Sequence, residues 1–209
     1  KSLLFNLNSE KKVSDGLNII LFELLDSHAP HQLKEEGITM WFFTCDNKNT
    51  VSNCYSEGNI INQYNGGITC YNKNTVSNCS YKGKMTGKNI ITSTRNFYST
   101  KSGGICYFND TAGKISNCVN KGEITGSDSG GICNENINII SNCFNTGNLS
   151  GEYVGGICYN NSKGTISYCV NKGEITGSYS GGICYFNGNK WTISNCFNTG
   201  NINSIKSGG

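Results

Sequence analysis

The chain has 209 residues, of which 15% are charged, and its net charge of +3 is spread without any run of basic residues. That argues against nucleic-acid or membrane-surface binding driven by charge, and no stretch is long and apolar enough to span a bilayer. A single Pro, 27 Gly and even more Asn suit many tight corners and few helices, because Gly and Asn best tolerate left-handed backbone.

Residues 1–36 differ from the rest. Ser14 is placed as a helix N-cap, and Leu17, Ile20, Leu21, Leu24 and Leu25 follow helical spacing on one apolar face. This predicts a helical cap covering the exposed start of the repeat region, with a helix that binds a partner chain as the rival reading. His28 and His31, in 27-SHAPH-31, are the only histidines; no carboxylate or cysteine accompanies them in that motif, so a solvated helix end fits better than a metal or catalytic site. The apolar run 37-GITMWFFTC-45 reads as a first strand, with Trp41 and Phe42 meeting the cap.

From residue 37 onward the chain repeats itself. The copies 51-VSNC-54, 76-VSNC-79, 115-ISNC-118, 140-ISNC-143, 166-ISYC-169 and 193-ISNC-196 are spaced 25, 39, 25, 26 and 27 residues apart. A Gly follows each second cysteine by four residues, with an apolar residue two further on. Gly-Gly pairs open five units, at Gly66, Gly103, Gly130, Gly155 and Gly181. Short β-rich runs between Gly/Asn corners at this period predict an all-β fold, a parallel β-helix (β-solenoid) of about six coils stacked at ~4.8 Å. Leucine-rich repeats would need a Leu ladder, which is absent, and helical repeats would need helix formers. The domain organisation expected is therefore a capping segment over 1–36 and a solenoid over 37–209. The chain stops at 205-IKSGG-209, where another GGIC unit would open, so it reads as part of a longer array.

One step is long because of an insertion, 86-TGKNIITSTRNFYSTK-101. Loops on rigid scaffolds often carry function, so Arg95, Phe97 and Tyr98 are a candidate contact patch, against an exposed polar loop. Asn78, Asn109, Asn148 and Asn160 head Asn-x-Ser/Thr sequons and are candidate glycosylation sites.

All twelve cysteines fall in the repeats, as Cys45 and Cys54, Cys70 and Cys79, Cys106 and Cys118, Cys133 and Cys143, Cys158 and Cys169, Cys184 and Cys196. Two readings are open: one disulfide per coil, or ladders of small buried side chains. In 66-GGITC-70 the first cysteine stands one place later than in GGIC, yet the coil keeps two cysteines. That retention favours pairing, and pairing implies an oxidising setting. Spacing of the zinc type is absent. In Ser-Asn-Cys, the Ser and Cys share a face unless the Asn column is a bend. Tyr168 in that column shows room there, against a tight inward Asn ladder.

Gly-Gly-apolar, then Tyr-Asn, then Ile-Ser-Asn-Cys, then Thr-Gly-Asn-apolar resembles the GLUG motif, a short repeat found in many copies in bacterial surface proteins and adhesins. The resemblance covers 37–209, most clearly from 103 onward. It departs from the family where GGIC replaces the usual Gly-Gly-Leu-Val-Gly; the second cysteine is common in that family, the first is not. It implies a solenoid and a surface setting, and brings no catalytic residues.

The expected function is structural: a segment of a fibre, stalk or adhesin on a cell or virion surface, with surface glycans or identical chains as partners. No cofactor, metal, catalytic residue or membrane insertion is expected. A polysaccharide-acting enzyme would need paired carboxylates; Asp15, Asp26, Asp46, Asp110 and Asp128 are scattered, while Glu123 and Glu174 recur as part of KGEI. A glycan-binding module is the closer alternative. Tyr107, Tyr159 and Tyr185 could stack on sugars if they face outward, or could lie in the core. Thr50, Thr75, Thr165 and Thr192 form one broken column, which does not suit ice.

Overall fold

The structure, a computed structural model, describes residues 44–62, 64–87, 90–91, 96–97 and 100–209. Among them every regular element is a β-strand, of two to seven residues. Six coils succeed one another, and each adds a strand to four stacked sheets. The first face stacks Thr44–Asn47, Thr69–Asn72, Cys106–Asn109, Cys133–Asn136, Cys158–Asn161 and Cys184–Asn187. The second runs from Thr50–Ser52 to Thr192–Ser194, and the third from Tyr55–Glu57 to Phe197–Asn198. The fourth begins as two short strands, Ile60–Asn62 and Tyr64–Gly66, and ends as single strands such as Ile175–Gly181 and Ile202–Gly208. Pairing between coils is parallel and in register, so like stands on like: Ile115 on Val76, Ile140 on Ile115, Gly155 on Gly130. The predicted all-β solenoid of about six coils is the architecture seen. The helical cap, with Ser14, His28, His31, Trp41 and Phe42, lies outside the described residues.

The sequence makes these corners for a definite reason. Asn53, Asn78, Asn117, Asn142, Tyr168 and Asn195 all have φ between 51° and 55°, the left-handed region in which Asn is tolerated and most L-residues are strained. The Asn column is thus the bend. It lets the β-branched residue two places before and the cysteine one place after both point inward: Ile115 and Cys118, like Ile140 and Cys143, are fully buried. Tyr168 carries the strain without Asn's tolerance, and it is 58% exposed. Tyr168→Asn is therefore expected to stabilise the chain by about 1 kcal/mol, since left-handed backbone costs ~1–2 kcal/mol for an ordinary residue. Thermal unfolding monitored by circular dichroism would register this as a rise in Tm of a few degrees; an unchanged or lower Tm would mean the ring contributes something the backbone argument omits.

Inside, each coil contributes one Ile after the Gly-Gly pair (Ile105, Ile132, Ile157), one β-branched residue before the corner and one apolar residue on the fourth face (Met85, Ile124, Leu149, Ile175). Full burial of each is worth ~1.5–3 kcal/mol. That is far less than the backbone ordering of one coil at roughly 1–2 kcal/mol per residue. A coil closes only because its neighbours supply backbone partners along the axis, for example Ile132 N to Ile157 O at 2.8 Å.

Candidate functional site

The predicted disulfide in each coil is not what the structure contains. Eleven cysteines, all but Cys45, are free thiols with no two at bonding distance, so the expected in-coil bond is absent from the five coils in which both members are described. The two cysteines of a coil belong to different columns. Cys106, Cys133, Cys158 and Cys184 are successive register partners on the first face. Cys54, Cys79, Cys118, Cys143, Cys169 and Cys196 come directly after the Asn corner, between the second and third faces. Nine of these thiols donate to a carbonyl two residues away in their own coil, as Cys106 does to Phe108 O and Cys118 to Ser116 O, both at 3.2 Å. Burial pushes the Cys133, Cys143 and Cys158 thiols well up from their usual range.

The displaced cysteine of 66-GGITC-70 also has a different explanation. The coil keeps its length, and Cys106 pairs in register with Thr69. Buried Thr69 donates its hydroxyl to Tyr71 O at 3.1 Å, the same i to i+2 bond that the thiols make. The column therefore selects a small side chain with one donor, and Thr serves as well as Cys. Moved one place along, Cys70 takes the neighbouring column that Tyr107 occupies in the next coil, and is half-buried.

Two further columns carry the interior polarity. Asn47, Asn72, Asn109, Asn136, Asn161 and Asn187 form a ladder in which each Nδ2 donates to the next Oδ1 at 2.7–2.8 Å. Asn120, Asn145, Asn171 and Asn198 form a second, with 2.7 Å links. Each amide also satisfies corner backbone: Asn120 accepts from Gly122 N and donates to Gly122 O, both at 3.0 Å. In the second coil Tyr81 fills that column instead, fully buried, with its hydroxyl donating to Gly58 O at 2.9 Å.

On the outside, the Gly-Gly corner between the fourth and first faces is re-entrant, because outward side chains from its two sides touch. Tyr64 meets Tyr107 with centroids 5.0 Å apart, and Tyr153 meets Tyr185 at 5.2 Å. Lys101 Nζ lies 2.7 Å from Glu135 Oε1, and Asn134 Nδ2 donates to Asp128 O at 2.7 Å. The result is a seam along the rod, aromatic at both ends and polar in the middle. Tyr107, Tyr159 and Tyr185 thus stand outside the coil core: Tyr107 packs on Tyr64 and Tyr71, and Tyr185 on Tyr153 and Tyr159. Tyr159 and Tyr185 stack at 5.6 Å and 7°. Burial pushes the Tyr159 phenol up to about 12, whereas Tyr64 and Tyr71 keep 40% and 39% of their surface open.

The insertion folds as an antiparallel hairpin, Ile90–Ile91 with Asn96–Phe97. Phe97 closes its second strand; Arg95 and Tyr98 lie outside the described residues. Of the sequons, Asn109 is unavailable in the folded chain, because its amide is fully buried within the first ladder. Asn160 is half-buried, while Asn78 and Asn148 are exposed. Asp46 stands in the first coil, while in the third Asp110 follows the first-face strand and Asp128 opens a fourth-face strand; Glu123 and Glu174 are exposed. Among the described residues, no group of three or more His, Cys, Asp or Glu is placed to hold a metal ion.

Compared with family models, with curated proteins and with solved structures, the chain matches none of them.

Proposed function

We propose that the chain is a structural rod segment of a surface fibre, stalk or adhesin, working outside the cell. The observation that supports this reading is that the positions recurring from coil to coil serve stacking: Ile on Ile, Asn amide to Asn amide, Cys on Cys, with Gly-Gly and left-handed Asn at the corners. Such a rod gains reach by adding coils. Antibodies raised against residues 100–209 should label intact, unpermeabilised source cells; labelling only after permeabilisation would overturn the surface role. The aromatic seam favours a second reading, glycan contact through Tyr64 and Tyr71, whose rings are the most open of the seam's tyrosines at its first-coil end. A glycan array probed with the purified rod should then give signals that Tyr64→Ala with Tyr71→Ala abolishes.

A further inference from the structure

We infer that the thiol columns pair vertically: when this chain is oxidised, its disulfides join neighbouring coils and never the two cysteines of one coil. Register partners on parallel strands stand ~4.8 Å apart, inside the ~4.4–6.8 Å window of Cα separations that a disulfide bridges. The thiols stack along each column. On the first face Cys106 is the register partner of Cys133, Cys133 of Cys158 and Cys158 of Cys184. In the second column each sulfur leans on the preceding coil: Cys79 lies 3.8 Å from Val51 O, Cys118 3.8 Å from Val76 O, Cys143 3.9 Å from Ile115 O, Cys169 4.0 Å from Ile140 O and Cys196 3.8 Å from Ile166 O. Within a coil, by contrast, the two thiols face separate carbonyls in separate columns, as Cys133 does with Glu135 O and Cys143 with Ser141 O.

The chemistry balances with a small-molecule disulfide as oxidant. A thiolate from one coil attacks it, forming a mixed disulfide and releasing one small thiol. The thiolate from the adjacent coil then attacks the protein sulfur, releasing the second. Two protein thiols and one small disulfide give one inter-coil bond and two small thiols. Because most of these sulfurs are sealed from solvent in the closed coil, the exchange belongs to folding, before neighbouring coils zip together. The inference does not depend on the surface role, because it rests on column geometry alone.

The test is to refold the full chain with oxidised and reduced glutathione, alkylate remaining thiols, and map it without reduction after trypsin and a Glu-specific protease. Lys or Glu residues separate every pair of successive cysteines. Expected are cross-linked peptides such as Cys118–Cys143, Cys169–Cys196 and Cys133–Cys158. Same-coil links such as Cys133–Cys143 or Cys158–Cys169 would overturn the inference, as would a fully alkylated, fully reduced chain. A column also predicts partner switching. In Cys143→Ser, with folding checked by circular dichroism, the Cys79–Cys118 species should rise at least several-fold while Cys169–Cys196 persists. If Cys118 instead pairs with Cys106 or Cys133, the column is not the pairing unit.

Discussion

Replacing Asn136 by alanine should lower the unfolding free energy by about 3–5 kcal/mol. Its Nδ2 donates to Asn161 Oδ1 at 2.8 Å and to Asn138 O at 3.0 Å, while its Oδ1 accepts from Asn109 Nδ2 at 2.7 Å. Asn109, Asn136 and Asn161 are fully buried, so truncation leaves Asn161 Oδ1 without its donor and Asn138 N without its acceptor at 3.3 Å, and takes from Asn109 Nδ2 the shortest of its three bonds. Each such orphan costs ~1–3 kcal/mol, well above the net worth of a hydrogen bond made in exchange for water. A cavity adds to the loss. Urea unfolding monitored by circular dichroism would show the drop as a lower midpoint. Asn189→Ala is the control: the residue is exposed, and its replacement should stay within about 0.5 kcal/mol. Equal effects at the two positions would mean that the ladder contributes nothing particular.

Gly130→Ala should be at least as damaging, at or beyond the ~4–5 kcal/mol that marks exceptional substitutions. A Cβ at Gly130 would lie 1.9 Å from Cys133 O and 2.8 Å from Tyr159 N. Both are backbone atoms already engaged in the stack, so no rotamer change relieves the clash. The corner would have to open, parting Asp128 from Asn134 and unseating Tyr159 from the seam. Gly208 occupies the same place in the repeat, by register through Gly155 and Gly181, yet has nothing within 4 Å of its own Cβ position. Gly208→Ala should therefore leave stability within about 0.5 kcal/mol. Yield of soluble folded chain and resistance to limited proteolysis would separate the two variants; a tolerated Gly130→Ala would mean the corner is looser than its contacts indicate.

Coil number and the positions of the corners are legible in the repeat, because a period of about 25 residues with Gly-Gly and Ser-Asn-Cys at fixed places has few other solutions. The thiol pairing is not. In-coil spacing of the cysteines counts residues along the chain, whereas their contacts run across it, from one repeat to the next. The Thr69 exchange is equally deceptive: without the register, a cysteine one place along looks like a partner retained, when it is a column vacated and filled by Thr. The Asn ladders could have been found. Asn comes three residues after the first cysteine at Asn109, Asn136, Asn161 and Asn187, and two after the second at Asn120, Asn145, Asn171 and Asn198. The exposed Asn of Ser-Asn-Cys, which is the bend, is the more conspicuous column and masks them. The re-entrant seam depends on the corner angle, which no pattern of residue types encodes.

The amides of both ladders all point one way, each donor toward the next coil in sequence. The rod consequently has a sense of direction in its side chains as well as in its backbone. Hydrogen bonds in such a file polarise one another, and the file stays unbroken only if every added unit runs in the same sense. A block set in reverse would bring carbonyl against carbonyl at the joint. Change in length is therefore quantised: whole coils can be duplicated or lost in the forward sense, while half a coil, or one turned about, would sever both files at once.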